Sequence, residues 1–291
     1  MKKESVALIG VGMMGGSLGR AIRKRKLPYR VVGIGRNLTR LKKAKKFEAC
    51  DEVTVNLREG VENASIVVIC TPVHEIVPQI KKILPYLKPN AVVTDIGSVK
   101  YAIVEGVLSL QNPSLHFIGS HPLAGSEKTG VENSNADLYQ GAAVVLTPLK
   151  HSNRGFESIK KMWESLGARV LIMEPEIHDI LVAQTSHLPH LLAGAFVQQI
   201  SSLQKRDRRA AKLLAGSFKD FTRISDSDPR QWAEICQTNQ KFVVGALKSY
   251  RDILARLIQN IESSKNSFPA LSQFFSVAKE GRESLLYSNK L

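Results

Sequence analysis

The chain has 291 residues, 43% of them apolar and 23% charged, with a formal net charge of +15 at pH 7. That length suits two domains of ordinary size rather than one small core, and the composition is that of a soluble globular protein. No uninterrupted apolar run approaches the roughly 20 residues that span a bilayer. The opening MKKES leads straight into VALIGVG, which reads as a first strand rather than a signal peptide. Cys50, Cys70 and Cys236 are widely spaced, odd in number and without a CxxC pair, so neither disulfides nor zinc are indicated and a reducing cytoplasm is expected. Residues 1–46 hold 14 Lys and Arg against the single acid Glu4, which is almost the whole charge imbalance. Such a patch either collects nucleic-acid phosphates or surrounds a site for anionic small molecules with a positive field.

In chain order, strand-like apolar runs appear at 6–11, 30–35, 64–70, 91–97, 116–120 and 142–147, with amphipathic stretches such as VHEIVPQIKKILPYL (73–87) between several of them. Near-continuous apolar strands alternating with helices predict a mostly parallel sheet covered on both faces. A helix at about 152–166 and a strand at 169–173 close this first domain, expected over 1–175. From residue 176 the strand signal stops. HDILVAQTSHLPHLLAGAFVQQI and the segments around 208–218, 231–262 and 268–280 carry helical apolar spacing. The second domain, 176–291, is therefore expected to be all helical, and its long apolar faces suggest a homodimer.

The first strand runs into Gly10-Val11-Gly12-Met13-Met14-Gly15-Gly16. A GxGxxG that follows a strand, opens a helix and precedes a second strand about 20 residues on marks a Rossmann-type dinucleotide site. Gly10 permits the tight turn, Gly12 lets the backbone approach a pyrophosphate, and Gly15 lets helix pack on sheet, with Met13 and Met14 in the first helical turn. An acid at the end of the second strand would select NAD. The sequence reads Gly35-Arg36-Asn37 there, with Arg40, Lys42 and Lys43 close behind, so NADP is favoured and NAD remains possible. Arg36 either meets the 2′-phosphate or points to solvent.

Doubly wound sheets bind ligands beyond the carboxyl ends of their strands. Thr71-Pro72, Ser98 of DIGSVK and His121 of SHP all fall there. A neutral histidine beside a nicotinamide is a proton acceptor for an alcohol losing hydride, and Ser98 can bond the same hydroxyl or the cofactor's carboxamide. Two clusters follow in the helical half: SHLPH, with His187 and His190, and GSFKDFTRISDSDPRQW, with Lys219, Asp220, Arg223 and Trp232. No carboxylate shares the spacing of the two histidines, so no metal is expected. A guanidinium such as Arg223 suits a bidentate grip on a carboxylate, which points to a substrate carrying carboxylates.

Taken together, GVGMMGGSL, DIGSVK, HPLAGSEKTGVENSNADLYQGAAVVLTP, SHLPH and FKDFTRISDSDPRQW resemble the prephenate and arogenate dehydrogenases of tyrosine biosynthesis, in the same order over residues 5 to about 260. The resemblance implies oxidative decarboxylation of a cyclohexadienyl substrate: hydride passes to the nicotinamide, carbon dioxide leaves and the ring becomes aromatic. It implies that His121 polarises the ring hydroxyl, assisted by Ser98, and that Arg223 grips the side-chain carboxylate. His190, with His187 in the same motif, matches a position near the ring carboxylate; Ser126 and Glu127 line and gate the pocket; Lys219 lies nearby, from the same or a mating subunit. Prephenate is the leading substrate and arogenate the alternative. A β-hydroxyacid dehydrogenase also joins a Rossmann domain to helices, but it relies on a lysine in the helical domain and leaves SHLPH and FKDFTR unexplained. Partners are expected to be a small-molecule substrate and a second copy of the chain, with neither nucleic acid nor membrane.

Overall fold

Strands and helices alternate through the first part of the chain in a computed structural model that describes residues 4–125, 128–149, 155–263 and 267–288. In order these are β1 (Glu4–Ile9), α1 (Met13–Lys24), β2 (Tyr29–Ile34), α2 (Leu38–Lys46), β3 (Glu52–Thr54), α3 (Leu57–Val61), β4 (Ile66–Ile69), α4 (Val73–Ile83), β5 (Val92–Asp95), α5 (Tyr101–Leu108), β6 (His116–Pro122), β7 (Ala143–Pro148), α6 (Phe156–Ser165) and β8 (Arg169–Ile172). They form one eight-stranded sheet ordered β3-β2-β1-β4-β5-β6-β7-β8, parallel throughout except where β6 meets β7. Along β1, Val6 and Leu8 pack into one apolar cluster with Leu18, Ile22 and Trp163, while Ala7 and Ile9 pack into another with Ile76, Ile80 and Phe117. Successive side chains of a strand point to opposite faces, so a continuous apolar run has helices on both sides to bury it.

The expected strands are present with ends shifted by a few residues, and β3 is an addition. Its three residues, Glu-Val-Thr, are exposed or half-buried and offer no apolar run to read. The expected helix at 152–166 is described from Phe156; residues 150–154 lie outside the described residues.

The remainder is helical: α7 (Pro175–Val182), α8 (Leu188–Arg206), α9 (Gly216–Thr222), α10 (Pro229–Thr238), α11 (Gln240–Glu262) and α12 (Phe268–Ser288). A widened π turn, Ala183–His187, joins α7 to α8 into one rod. By length and mean hydropathy alone (1.3 over 18 residues) Pro175–Arg206 could cross a membrane. It buries His178, Asp179 and His187, whereas Gln184, Thr185, Gln198 and Gln199 are exposed. The expected helix at 208–218 is instead a 3₁₀ turn, Arg208–Leu213, followed by α9. The expected helix at 231–262 is two helices divided at Asn239. That residue is buried because its side chain is bonded into the site described below.

The chain forms two compact units, Met1–Val243 and Val244–Leu291. Strands give way to helices near Pro175, so the first unit holds the sheet together with α7 to α10. In the second unit α11 exposes Ile253, Leu254, Ile258 and Ile261, and α12 exposes Phe274, Phe275, Leu285 and Leu286.

Candidate active site

Strand order reverses between β1 and β4, whose carboxyl ends diverge to open a crevice. A cleft of about 850 Å³ lies there, lined by Gly10 and Gly12 after β1, Arg36 and Asn37 after β2, and Thr71 and Pro72 after β4. Gly10 has φ +94°, and a Cβ there would sit 2.9 Å from the Cys70 carbonyl oxygen. A Cβ on Gly15 would lie 2.4 Å from the Gly10 carbonyl oxygen, so α1 packs on the strand end only because this residue is glycine. At Gly12 a Cβ would meet nothing within 4 Å, which leaves the backbone open to the cleft.

The first turn of α1 has no side-chain cap and no acid, whereas α2 is capped by Asn37, whose Oδ1 accepts from the Arg40 N–H at 3.0 Å. Free N–H groups at the positive end of a helix fit a pyrophosphate. Opposite, the Thr71 hydroxyl is buried without a partner among the described residues, and a bound dinucleotide could supply one. Asn37 lines the cleft with its side-chain oxygen committed to the cap. Met13, Met14 and Gly15 form the first turn of α1; Met13 is buried and the Met14 carbonyl accepts from the Tyr139 hydroxyl at 2.8 Å. Arg36, Arg40 and Lys43 crowd the rim by α2, where Lys43 also pairs with Glu132 at 3.1 Å.

His121 ends β6 and is 8% exposed. Its Nδ1 lies 2.7 Å from His178 Nε2, and His178 Nδ1 lies 2.6 Å from Asp179 Oδ1. Asp179 accepts the Lys100 N–H at 2.8 Å and the Tyr101 N–H at 2.9 Å, which ties the start of α7 to the loop after β5. Within that loop Lys100 is fully buried and its ammonium meets Asp95, which also accepts the Gly97 N–H at 2.8 Å and the Ser120 N–H at 3.2 Å. Burial draws the Lys100 ammonium below its ordinary range, and the two carboxylates oppose that shift. For His121, burial first, then His178, Lys100 and His187, hold the imidazole well below its usual range. The ring is thus neutral at pH 7, as a base requires. Ser98 is half-buried on the same loop.

The His178–Asp179 pair, the buried Lys100–Asp95 pair and Asn239 did not emerge from the sequence as site residues. The available signal was an ionisable pair inside an otherwise apolar helical face. His178 and Val182 lie one turn apart and are both buried.

His187, 1% exposed, lies beneath Trp232 (ring centroids 6.0 Å apart), and its Nδ1 accepts from the Asn239 amide at 3.1 Å. That amide also donates to the Asp179 carbonyl at 2.9 Å. His187 is therefore a group inside the protein rather than on an open wall. His190 is half-buried and stacks on Trp232 at 3.4 Å, with Nδ1 donating to the Ser186 carbonyl at 2.9 Å. Burial lowers the His190 pKa, the Ser186 bond opposes that, and the Arg223 charge adds to the lowering, so Arg223 lies close by. Arg223 itself is exposed, on the turn Arg223–Asp226, and Lys219 is exposed on α9. Ser126 and Glu127 lie outside the described residues. Among the described residues no cluster of three metal-binding side chains occurs.

Burial brings the His187 pKa down to about 4. A histidine whose folded pKa is depressed binds its proton more readily when the chain is unfolded, so its stability contribution is complete above about 6.5 and fades as pH falls towards 4. Between pH 7 and pH 5 this group alone should cost about 2 kcal/mol, with His121 acting in the same direction. Urea unfolding at the two pH values checks this: the midpoint should fall at pH 5, and His187→Gln should flatten the difference.

A dinucleotide cleft at the strand-order reversal and a neutral histidine at a neighbouring strand end define an oxidoreductase that uses a nicotinamide dinucleotide. Residues 18–172 match the family model described as the prephenate dehydrogenase nucleotide-binding domain, and residues 174–276 the one described as the prephenate dehydrogenase dimerization domain. The chain belongs to the prephenate/arogenate dehydrogenase family. It is 31% identical over 284 residues to a cyclohexadienyl dehydrogenase of Zymomonas mobilis, covering 97% of this chain and 96% of that protein. A Bacillus subtilis prephenate dehydrogenase is 29% identical over 97% of this chain and 76% of its own length. Among solved structures, the A. aeolicus prephenate dehydrogenase in complex with hydroxyphenyl propionate and NAD+ superposes with a TM-score of 0.89 at 32% identity, over 98% of this chain and 99% of that one. A Synechocystis arogenate dehydrogenase gives 0.83 at 29% identity, over 97% and 99%.

Proposed function

We propose that this chain oxidatively decarboxylates prephenate to 4-hydroxyphenylpyruvate in tyrosine biosynthesis, with NADP preferred over NAD. The observation that carries the reading is the chain of contacts from His121 through His178, Asp179, Asn239, His187 and Trp232 to His190, whose helix packs against the turn that bears Arg223: a neutral base at one end and a permanent cation at the other. The cofactor, when bound, accepts the hydride. His121 takes the hydroxyl proton as hydride leaves the same carbon, and Ser98 bonds that hydroxyl. The bond to the ring carboxylate then breaks, its electron pair enters the ring, and the new phenolate oxygen recovers the proton from His121. The proton is borrowed and returned.

Arg223 holds the side-chain carboxylate, with Lys219 nearby. Neutral His190 commits Nδ1–H to Ser186, leaving Nε2 as an acceptor; beside the ring carboxylate it takes up a proton and becomes a donor. On this reading a Rossmann domain, 1–175, binds the cofactor, and a helical domain, 176–291, supplies the substrate wall and the homodimer contact. The exposed apolar residues of α11 and α12 and the dimerization description of the matched model support the dimer. Three free cysteines, with burial raising the Cys50 thiol to about 12, suit a reducing cytoplasm. Arogenate is the second reading, favoured by the similarity to the Synechocystis enzyme.

Initial rates with both substrates and both cofactors test the proposal, in the parent and in Arg36→Ala. Prephenate with NADP should give the highest kcat/KM. Loss of Arg36 should cost NADP roughly 10- to 100-fold, the worth of a charge-assisted hydrogen bond, and NAD far less. Equal losses would remove Arg36 from the 2′-phosphate, and faster turnover of arogenate would reverse the substrate assignment.

A further inference from the structure

The structure assigns His178 and Asp179 a positioning role: together they fix the tautomer of His121 that leaves its Nε2 free to accept a proton. This deepens the reading of His121 as the base and depends on it.

The direction of each hydrogen bond follows from the far end of the chain. Asp179 is 1% exposed and receives a backbone N–H on each oxygen, from Lys100 and from Tyr101. Held by two donors, the carboxylate is an acceptor, so the 2.6 Å contact makes His178 Nδ1 the donor. A singly protonated imidazole that donates through Nδ1 carries its lone pair on Nε2. Across 2.7 Å that nitrogen must accept, and the hydrogen must come from His121 Nδ1. Neutral His121 has one proton, now committed, and Nε2 is its only basic position. An imidazole without such a partner divides between two tautomers, one of which presents N–H to a substrate hydroxyl and cannot take its proton.

The same chain meets the charge that appears during turnover. As the hydroxyl proton arrives at His121 Nε2, His121 becomes cationic and its Nδ1–H bond to His178 strengthens. His178, backed by Asp179, accepts that stronger bond. When the ring oxygen takes its proton back, the original state returns with nothing gained or lost. The charged and titratable groups around His121 divide clearly. Lys100, from the loop after β5, and His187, from the π turn, oppose a positive charge on it, as a protonated His178 would, whereas Asp95 pairs with the Lys100 ammonium. Asp179 is the anion at the end of the chain that leads directly to His121.

Two variants and one spectrum test the assignment. Gln at position 178 can accept from His121 with its carbonyl and donate to Asp179 with its amide, whereas Leu can do neither. His178→Leu should lower kcat by about 100-fold or more while KM stays within about threefold, and His178→Gln should recover most of that loss. Imidazole ¹⁵N shifts of His121 in the unmutated protein should report a proton on Nδ1 at neutral pH. Acidic titration of kcat should show the limb of the His178→Leu protein moved from its parental position, a shift that a purely structural role would not produce. Parental kcat in His178→Leu, no rescue by Gln in a folded protein, or a proton on His121 Nε2 would each overturn the assignment. Failure of the base reading looks different: His121→Asn would then retain turnover, whatever happens at position 178.

Discussion

The His121→Asn enzyme is expected to turn over 100- to 10,000-fold more slowly than the parent, with KM for the cyclohexadienyl substrate nearly unchanged. Asparagine keeps polarity and approximate size at the end of β6 but has no nitrogen that takes up a proton. Substrate affinity is assigned to the cation on the helical side, which the change leaves in place, so the loss falls on the chemical step alone. Burial, with the Lys100 ammonium and two further histidines close by, already holds the parental imidazole well below the ordinary histidine range. The acidic limb of the parental kcat/KM profile should therefore lie below pH 6.5, since activity is lost only as the base itself becomes protonated. Steady-state rates across pH decide the matter: parental turnover in His121→Asn would reject the base, and a limb above pH 6.5 would place the titration elsewhere.

Arg223→Gln should act on the other parameter. A guanidinium paired with a carboxylate contributes about 1.5–3 kcal/mol, so KM should rise roughly 10- to 100-fold with kcat changed far less. Arg223 is exposed on a short turn, so its removal leaves no buried charge stranded and the fold should survive. A second readout is independent of substrate. Arg223 depresses the His190 pKa, so the variant's His190 should titrate at higher pH, which a proton NMR titration would detect. An unaltered KM would take Arg223 out of the carboxylate site.

The sheet was legible because its strands are buried on both faces and read as apolar runs; β3, three half-exposed residues at the edge, gave no such signal. The glycine fingerprint was legible in its context, and the contacts at Gly10, Gly12 and Gly15 match the reason for each. The helical half was readable in type but not in its breaks. Apolar periodicity runs straight through 231–262, whereas α10 stops at Asn239, whose amide is drawn in to bond the Asp179 carbonyl and His187. That interruption is imposed by tertiary contacts sixty and fifty-two residues away in sequence, which no local pattern encodes. His178 and Asp179 were hidden for the opposite reason. Two polar residues at the head of an apolar helix look like its solvated edge until the fold turns them inward.

The widened turn at Ala183–His187 has a consequence for how this chemistry is encoded. An ordinary helix rotates about 100° per residue, so positions nine apart look in opposite directions. His178 and His187 are nine apart, yet both are buried, and the looser winding between them supplies part of the missing angle. Shortening that stretch by a single residue would turn one ring away from the other while removing no functional group. The proposed site is thus written in the phase of a helix as much as in the identity of its side chains.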